Sequence, residues 1–544
     1  MRKTNWPPCS LVMSQEPFMS RLPNLPVGDS SFESIRRDNQ LYVDKTSHIH
    51  RMVDQGKYYF LSRPRRFGKS LTVSTLRCLF EGRRELFEGL WIAEHGEWDW
   101  QKHPVILLDF NGISHETPDI LKAGLSRNLE MLARRYDLTS DATLLKDRFK
   151  ELIVALHEKT GQKVVILVDE YDKPLIDHLG KGEAELSIAK DNRDTLKQFF
   201  GLIKEGDVTR ALRFVFITGV SKFSRVSIFS ELNNLTDLTM SRHYAEMLGY
   251  TQDELETVFA EYVARFARET GQTAQEIWDM LRLMYNGYRF SEKDVRVYNP
   301  FSVLGALQEQ AFRNYWFETG TPTFLINLLR EQNWYLPRIE NMQATTMLFS
   351  TYDLEQLQPE ALLFQTGYVT IKDIDEDLHI FDYPNQEVKT SFLEMLLHSC
   401  TQGLPEPSRF MLLSKHLRRE DLAAFMDTVT AIFKDLAYTL ETNRDEAYFH
   451  TVFYLMVSAS GVDARSEVLT CDGRIDLVMH VGERIYIIEF KCNQSADTAL
   501  AQIKDKGYAQ AYRGLGKQIF LLGINFDTQK RNVSEWKTKE DGLG

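Results

Sequence analysis

KYYFLSRPRRFGKSLTVSTLRCLF, Lys57–Phe80, reads as a short apolar strand, a basic turn and a helix. The β-type run ends at Ser62 and the helix opens near Lys69. Between them lie Arg63, Pro64, Arg65, Arg66, Phe67, Gly68, Lys69 and Ser70. Loops of the pattern GxxxxGK[ST] cradle phosphates with backbone N–H groups; the lysine reaches the β- and γ-oxygens and the hydroxyl holds Mg²⁺. GKS is intact here, but Arg63 stands where the first glycine belongs. The strand–loop–helix setting supports a phosphate site, because a helix N-terminus itself attracts an anion. A helix start ringed by solvated arginines is the plainer alternative and explains less of the pattern.

Such a site is completed by a strand ending in acid. Val164-Val165-Ile166-Leu167-Val168-Asp169-Glu170 supplies it. Asp169 is placed to hold Mg²⁺ through water, and Glu170 to orient or deprotonate the attacking water. Strand-end acids also serve as plain helix caps, so the order of features matters. A later apolar run, Arg213–Thr218, ends in Thr218-Gly219, where a polar strand end can sense a γ-phosphate. Arg225 and Arg242, beyond it, are candidate arginine fingers. The runs Tyr58–Leu61, Val105–Phe110, Val164–Val168 and Phe214–Thr218 are each followed by polar or helical sequence. That alternation predicts an α/β domain with a parallel sheet buried on both faces.

A second chemical signal lies near the C-terminus. Asp445–Ser460 reads as an apolar-faced helix and Ser466–Thr470 as a strand. Arg474–Val481 and Arg484–Lys491 flank a Gly482-Glu483 turn as a hairpin, and a helix (Ala496–Arg513) and a strand (Gln518–Asn525) follow. The predicted order, αβββαβ, is that of the PD-(D/E)XK nuclease core, a restriction-endonuclease-like fold. Glu489 and Lys491, two apart on one strand, share a face while Phe490 points into the core. Asp476 on the neighbouring strand can meet Glu489 across the pair. Two carboxylates offer oxygen ligands to Mg²⁺ or Mn²⁺, and Glu446 on the preceding helix can add another. Lys491 is placed to orient a water or stabilise the phosphate in flight. The three residues are expected on a solvent-facing cleft. The proline that names the motif is replaced by Ile475, which leaves the chemistry with Asp476. A surface hairpin with one Glu489–Lys491 ion pair is the alternative, and His450 reads as a satisfied core histidine.

Taken together, LPVGDSSFESIRRDNQLYVDKT, YYFLSRPRRFGKSLTVSTL, VVILVDEYDKPL and FITGVSKFS resemble the bacterial AAA-ATPase-like family, as do GYRFSEKDVRVYNPFSVL and NYWFETGTPTFLINLL. The resemblance covers nearly all of the chain after Leu25. It implies an ASCE/AAA-like P-loop domain that binds ATP, followed by a C-terminal PD-(D/E)XK nuclease domain. The family's loop is itself RPRRFGKS-like, so Arg63 is a family habit. Gln502 and Tyr508 match polar positions of the family, and contact with the DNA backbone is expected of them. Nucleotide-controlled, metal-dependent cleavage of DNA, serving defence against mobile elements, is the function this architecture implies. The rival is a P-loop sensor whose nuclease-like domain binds nucleic acid or a partner without cutting.

Bulk properties agree. The 544 residues, 43% hydrophobic and 26% charged, are ordinary for globular proteins and suggest several domains. The net charge of −12 argues against a uniformly basic DNA-coating surface, although Glu33–Glu88 holds 12 Lys/Arg against 7 Asp/Glu. Five scattered cysteines form no CxxC pair, and no apolar run is long enough to span a bilayer. A cytoplasmic protein without membrane contact is expected, with homo-oligomerisation left open. The expected organisation is a flexible extension over 1–24, in which Met13 or Met19 is an alternative start, then a P-loop domain over 25–250. A helical lid over 251–330, a winged-helix-like segment over 331–411 and the nuclease domain over 412–544 complete it. Tyr315-Trp316-Phe317 is expected in the core.

Overall fold

The computed structural model describes residues 22–222, 228–229, 234–317, 325–326, 328–329, 339–340, 342–345, 358–400, 407–435, 446–470 and 473–541. Arg225, Met13, Met19 and most of the expected N-terminal extension lie outside the described residues.

The first sheet consists of β1 (Tyr58–Ser62), β2 (Val105–Asp109), β3 (Val164–Asp169), β4 (Leu212–Gly219) and β5 (Thr236–Asp237). Its order is β2-β3-β4-β1-β5, and every pair is parallel. All six residues of β3 are buried, as a central strand covered by helices on both faces requires. β4 separates the phosphate-loop strand from the acidic strand. The register aligns Ser62 with Gly219 and Asp109 with Asp169, bringing the polar strand ends to one edge. From β1 the chain enters α1 (Lys69–Phe80), and from β3 the short α2 (Lys173–Ile176).

Helices Gln252–Val258, Ala260–Thr270 and Ala274–Tyr285 and α3 (Pro300–Glu309) follow. Thr251 and Thr273 form capping boxes with Glu254 and Glu276, and Asn299 caps α3 ahead of Pro300. Leu22–Asn24, expected in the flexible extension, is instead held on this helical layer. Tyr262 Oη donates to Pro23 O, Leu41 N–H donates to Asn24 O, and Leu22 packs on the layer's apolar cluster.

A three-stranded antiparallel sheet, β6 (Met342–Thr345), β7 (Thr370–Asp375) and β8 (Leu378–Asp382), is ordered β6-β8-β7. It leads into α4 (Gln386–Cys400). Helices Pro407–Arg418 and Leu422–Asp435 precede α5 (Glu446–Ala459). Then come β9 (Asp463–Thr470), β10 (Gly473–Val481), β11 (Arg484–Cys492), α6 (Ala496–Asp505), β12 (Gln518–Asp527) and β13 (Asn532–Glu540). The sheet order is β13-β12-β11-β10-β9, with β11 and β12 parallel and the other pairs antiparallel. Two details differ from expectation. The last helix stops at Asp505, because Gly507 is left-handed, and continues as a 3₁₀ segment, Tyr508–Leu515. An added edge strand, β13, alternates charged and apolar residues too weakly to be read as a core strand. One continuous apolar cluster runs from Phe60 and Ile166 through Phe392 on α4 to Phe449 on α5 and Phe490 on β11.

Candidate active sites

The loop between β1 and α1 reverses at two left-handed residues, Arg66 (φ 67°) and Gly68 (φ 92°). Gly68 is the residue before the helix, a position where a side chain would be strained. The Lys69 side chain is 3% exposed; Nζ donates to Pro64 O (3.2 Å) and lies 3.7 Å from Glu170 Oε1. A hydrogen bond from Ser70 reaches Asp169, whose Oδ1 also accepts from Glu170 N–H at 3.0 Å. Burial pushes the Asp169 carboxyl up to about 6, against the pull of Ser70. Glu170 itself is left-handed (φ 52°).

These groups open onto a cavity of about 410 Å³ lined by Arg65, Gly68, Lys69, Ser70 and Glu170. Its far wall comes from Pro26, Gly28, Asp29, Ser30, Tyr250 and the start of α3, with Phe301 beneath the Arg66 guanidinium at 4.5 Å. Phosphate-binding chemistry on one side and a half-apolar wall on the other suit a nucleotide.

Two residues expected here face elsewhere. Arg63 is 1% exposed; its Nη1 donates to Ser62 O and Thr239 O, its Nη2 to Tyr244 O, and it lies over the Phe290 ring at 4.3 Å. Arg63 therefore bolts the loop to the segment after β5, and burial brings its guanidinium down to about 9. Thr218 is fully buried and donates to Leu61 O at 2.7 Å, tying β4 to β1. Pro64 and Phe67 support the loop: Phe67 is buried against Tyr288 and Phe290.

Sequence reasoning missed the groups around these. Asp172, fully buried, accepts from the N–H groups of Val220 and Ser221 and from Ser221 Oγ. That clamp explains Gly219, where a Cβ would lie 2.4 Å from Asp172 Oδ1. Lys173 and Asp177 line the cavity, 3.0 Å apart, and His115 Nε2 is 3.0 Å from Asp177. Of these residues, Asp172 and Lys173 lie in the DEYDKP run that could have signalled them. Arg242 is exposed at residue level and does not line the cavity.

Trp316 reaches the loop from the helical layer: Nε1 donates to Arg65 O at 3.1 Å. Its backbone N–H donates to Glu387 on α4, and the other Glu387 oxygen accepts from Ser302 on α3. α4 packs along α5, the first helix of the C-terminal unit.

In that unit Glu489 and Lys491 share a face, with Nζ 3.2 Å from Glu489 Oε1, while Phe490 is fully buried. Lys491 also donates to Phe490 O. Asp476 accepts from Phe490 N–H at 2.8 Å, which turns its carboxylate toward Glu489. Burial pushes the Glu489 carboxyl up, and the Asp476 charge adds to it against Lys491. Burial likewise raises Asp476, opposed by the Phe490 N–H. Contrary to the expected open cleft, the Glu489 side chain is only 2% exposed. Gln502 Nε2 donates to Glu489 Oε1 and Tyr508 Oη to Arg474 O, so both polar groups are engaged inside the site. Glu446, on the exposed first turn of α5, acts on both carboxylates through its charge. It does not complete a triad: among the described residues, no three His, Cys, Asp or Glu side chains are grouped to hold a metal ion.

A family model described as "Predicted AAA-ATPase" matches residues 26–229, and one for the PD-(D/E)XK nuclease superfamily matches 444–536. An uncharacterized protein of the vnfD 5′ region of Azotobacter chroococcum mcd 1 is 39% identical over 525 residues, covering 94% of this chain and 97% of that one. The chain belongs to the AAA-ATPase-like family. A crystal structure of Cdc6p from Pyrobaculum aerophilum aligns with TM-score 0.23 and 14% identity, over 70% of this chain and 97% of that one.

This AAA-ATPase-like protein therefore joins a P-loop domain to a nuclease-superfamily domain, and the latter implies a nucleic-acid substrate. Its carboxylate pair fits a divalent cation. Glu489 Oε2 is buried without a hydrogen-bond partner, and two adjacent carboxylates with raised pKa values lack the charge that would let both ionise. Oxygen donors of this kind suit Mg²⁺ or Mn²⁺. Among the described residues no helix is long and apolar enough to cross a membrane.

Proposed function

We propose that the protein is an ATP-binding, nucleotide-controlled nuclease that cuts DNA, with defence against mobile DNA as its cellular setting. The unpartnered Glu489 Oε2 beside Asp476 carries the nuclease half of this reading, because a buried carboxylate left unsatisfied is costly unless a ligand completes it. Asp476 and Glu489 would hold Mg²⁺ or Mn²⁺, with Glu446 near enough to add charge; when bound, the cation supplies water activation and charge neutralisation at the scissile phosphate. Lys491, held by Glu489 and the Phe490 carbonyl, presents its ammonium to the water and the phosphate oxygens. Gln502 fixes the Glu489 carboxylate so that its second oxygen is presented. Phe490 and the apolar floor exclude bulk water from behind the pair.

In the P-loop domain, Lys69, now on the Pro64 carbonyl, would hold the nucleotide's phosphates, and Ser70 and Asp169 would hold the accompanying Mg²⁺, which would neutralise phosphate charge. Glu170 would orient the attacking water. The P-loop domain, helical layer, small winged-helix-like sheet and nuclease domain act as successive parts of a switch. These parts meet near residues 25, 251, 331 and 412.

The test is cleavage of linear, supercoiled and single-stranded DNA by the full chain, with and without Mn²⁺ and ATP. Cation-dependent cutting that changes with ATP supports the reading. Equal cutting by wild type and Asp476→Ala would assign the activity to a contaminant and leave a non-cleaving binding module.

A further inference from the structure

His450 is a buried imidazole on α5 to which the nuclease reading gives no task; it is 4% exposed. Its ring packs on Phe490 with 4.9 Å between centroids, and Nε2 lies 3.1 Å from Ser466 Oγ. Its Nδ1 lies 3.7 Å from Glu467 Oε1, and the backbone of Asp476 acts on the ring from the same side of the site.

These contacts converge on an irregularity in the sheet. The β10–β11 ladder begins at Leu477↔Ile488 and runs away from Asp476. On the other side, pairing with β9 passes from Ile475↔Val468 to Leu477↔Ser466 and skips Asp476. Glu467, opposite the gap, is left-handed at φ 56° and is engaged by Arg474. The Asp476 peptide is thus released from both ladders at the residue whose carboxylate must face Glu489. His450 braces both sides of that break: Ser466 and Glu467 on β9, and Phe490 on β11, whose N–H holds the Asp476 carboxylate.

We propose that His450 is a positioning residue for the nuclease site, holding the strand break at Asp476 so that its carboxylate is aimed at the cation. The assignment rests on the nuclease reading above. His450 touches neither substrate nor ion; it acts through Asp476. Groups that orient metal ligands in this way typically change metal affinity or activity by about 10–100-fold when removed.

His450→Phe keeps an aromatic ring against Phe490 and removes the Ser466 hydrogen bond. His450→Gln keeps a polar group that can reach Ser466. Both are compared with wild type as nucleotide-free full chains, by Mn²⁺ titration and by cleavage of linear duplex DNA across a Mn²⁺ series. For His450→Phe the Mn²⁺ Kd should rise about tenfold or more, with cleavage lost at low Mn²⁺ and regained as Mn²⁺ increases. His450→Gln should fall between, and ATP affinity should stay unchanged in both. A general packing defect would not be rescued by the cation. Mn²⁺ affinity and cleavage of His450→Phe within about twofold of wild type would overturn the assignment. If His450→Phe fails to melt cooperatively, Ser466→Ala decides in its place, with a smaller loss of Mn²⁺ affinity expected and none overturning the idea. Wild type that neither binds Mn²⁺ nor cuts would bring down the nuclease reading itself. Wild-type cutting abolished by Asp476→Ala but untouched by His450→Phe would remove the positioning role alone.

Discussion

The two candidate sites are built alike and finished differently. Each sets acids on its strands, with a lysine beside them and a carboxylate raised by burial: Asp169 in one, Glu489 and Asp476 in the other. At the phosphate loop the protein satisfies its own groups. Lys69 is tied to Pro64 O and faces Glu170, and Asp169 receives Ser70 and Glu170 N–H. The groups border a cavity of about 410 Å³ that can admit a large ligand. At the nuclease site Glu489 is closed in, and one of its oxygens has no partner. A site with internal stand-ins must break contacts when its ligand arrives, which suits a switch. A site with an orphaned buried oxygen is incomplete until a small ion enters, which suits chemistry.

The largest effect that would break this contrast is at the carboxylate pair. Asp476→Ala and Glu489→Ala should each lower DNA cleavage by about 10³-fold or more, since either leaves the cation a single carboxylate. Initial rates with Mn²⁺ check this, and substantial activity in either variant would show that the pair is structural. Next is Lys69→Ala, expected to weaken Mg²⁺-ATP binding by tenfold or more, about 1.4 kcal/mol. Equilibrium titration with a fluorescent ATP analogue reads it, and unchanged affinity would refute the phosphate-loop assignment. Lys491→Ala sharpens the division of labour: cleavage should fall by about 10²-fold while the Mn²⁺ Kd stays put. Parallel loss of Mn²⁺ binding would place Lys491 among the supports of the carboxylates.

The smallest effect concerns stability. The Asp169 carboxyl sits at about 6 in the folded protein against 3.8 in the unfolded chain. Its ionisation therefore costs nothing below pH 3.8, costs progressively more up to about 6, and is fully unfavourable above. Asp169→Asn, which can keep the Ser70 contact, should stabilise the nucleotide-free protein by on the order of 1–3 kcal/mol at neutral pH. The gain should shrink as the pH falls toward 4. Urea titrations at two pH values measure it, and a gain independent of pH would contradict the burial argument.

The strands and the acids at their ends were legible because continuous apolar runs and side-chain alternation are properties of local sequence. Tyr58–Leu61, Val164–Val168 and the Glu489–Lys491 pair all fall where that reasoning places them. What stayed hidden depends on tertiary register. Arg63 looks like one more phosphate-loop cation until Thr239, Tyr244 and Phe290 close around it. Thr218 looks like a sensor until its hydroxyl meets Leu61 O on the next strand. The roles of Asp172 and Trp316 stayed hidden because their partners lie 49 and 251 residues away in sequence.

The indole of Trp316 gives these two sites a common account. Its Nε1 holds the phosphate loop, while the backbone N–H of the same residue shares Glu387 with the start of α3, and α4 packs on the helix that carries Glu446 and His450. Traffic along such a connection has no preferred direction. Whatever factor ATP imposes on the grip of the far domain on nucleic acid, a bound strand must impose on the affinity for ATP, by equality of the two routes around a thermodynamic cycle. On the proposed function, the same residue that would let nucleotide govern the blade would also let bound DNA report itself to the nucleotide pocket.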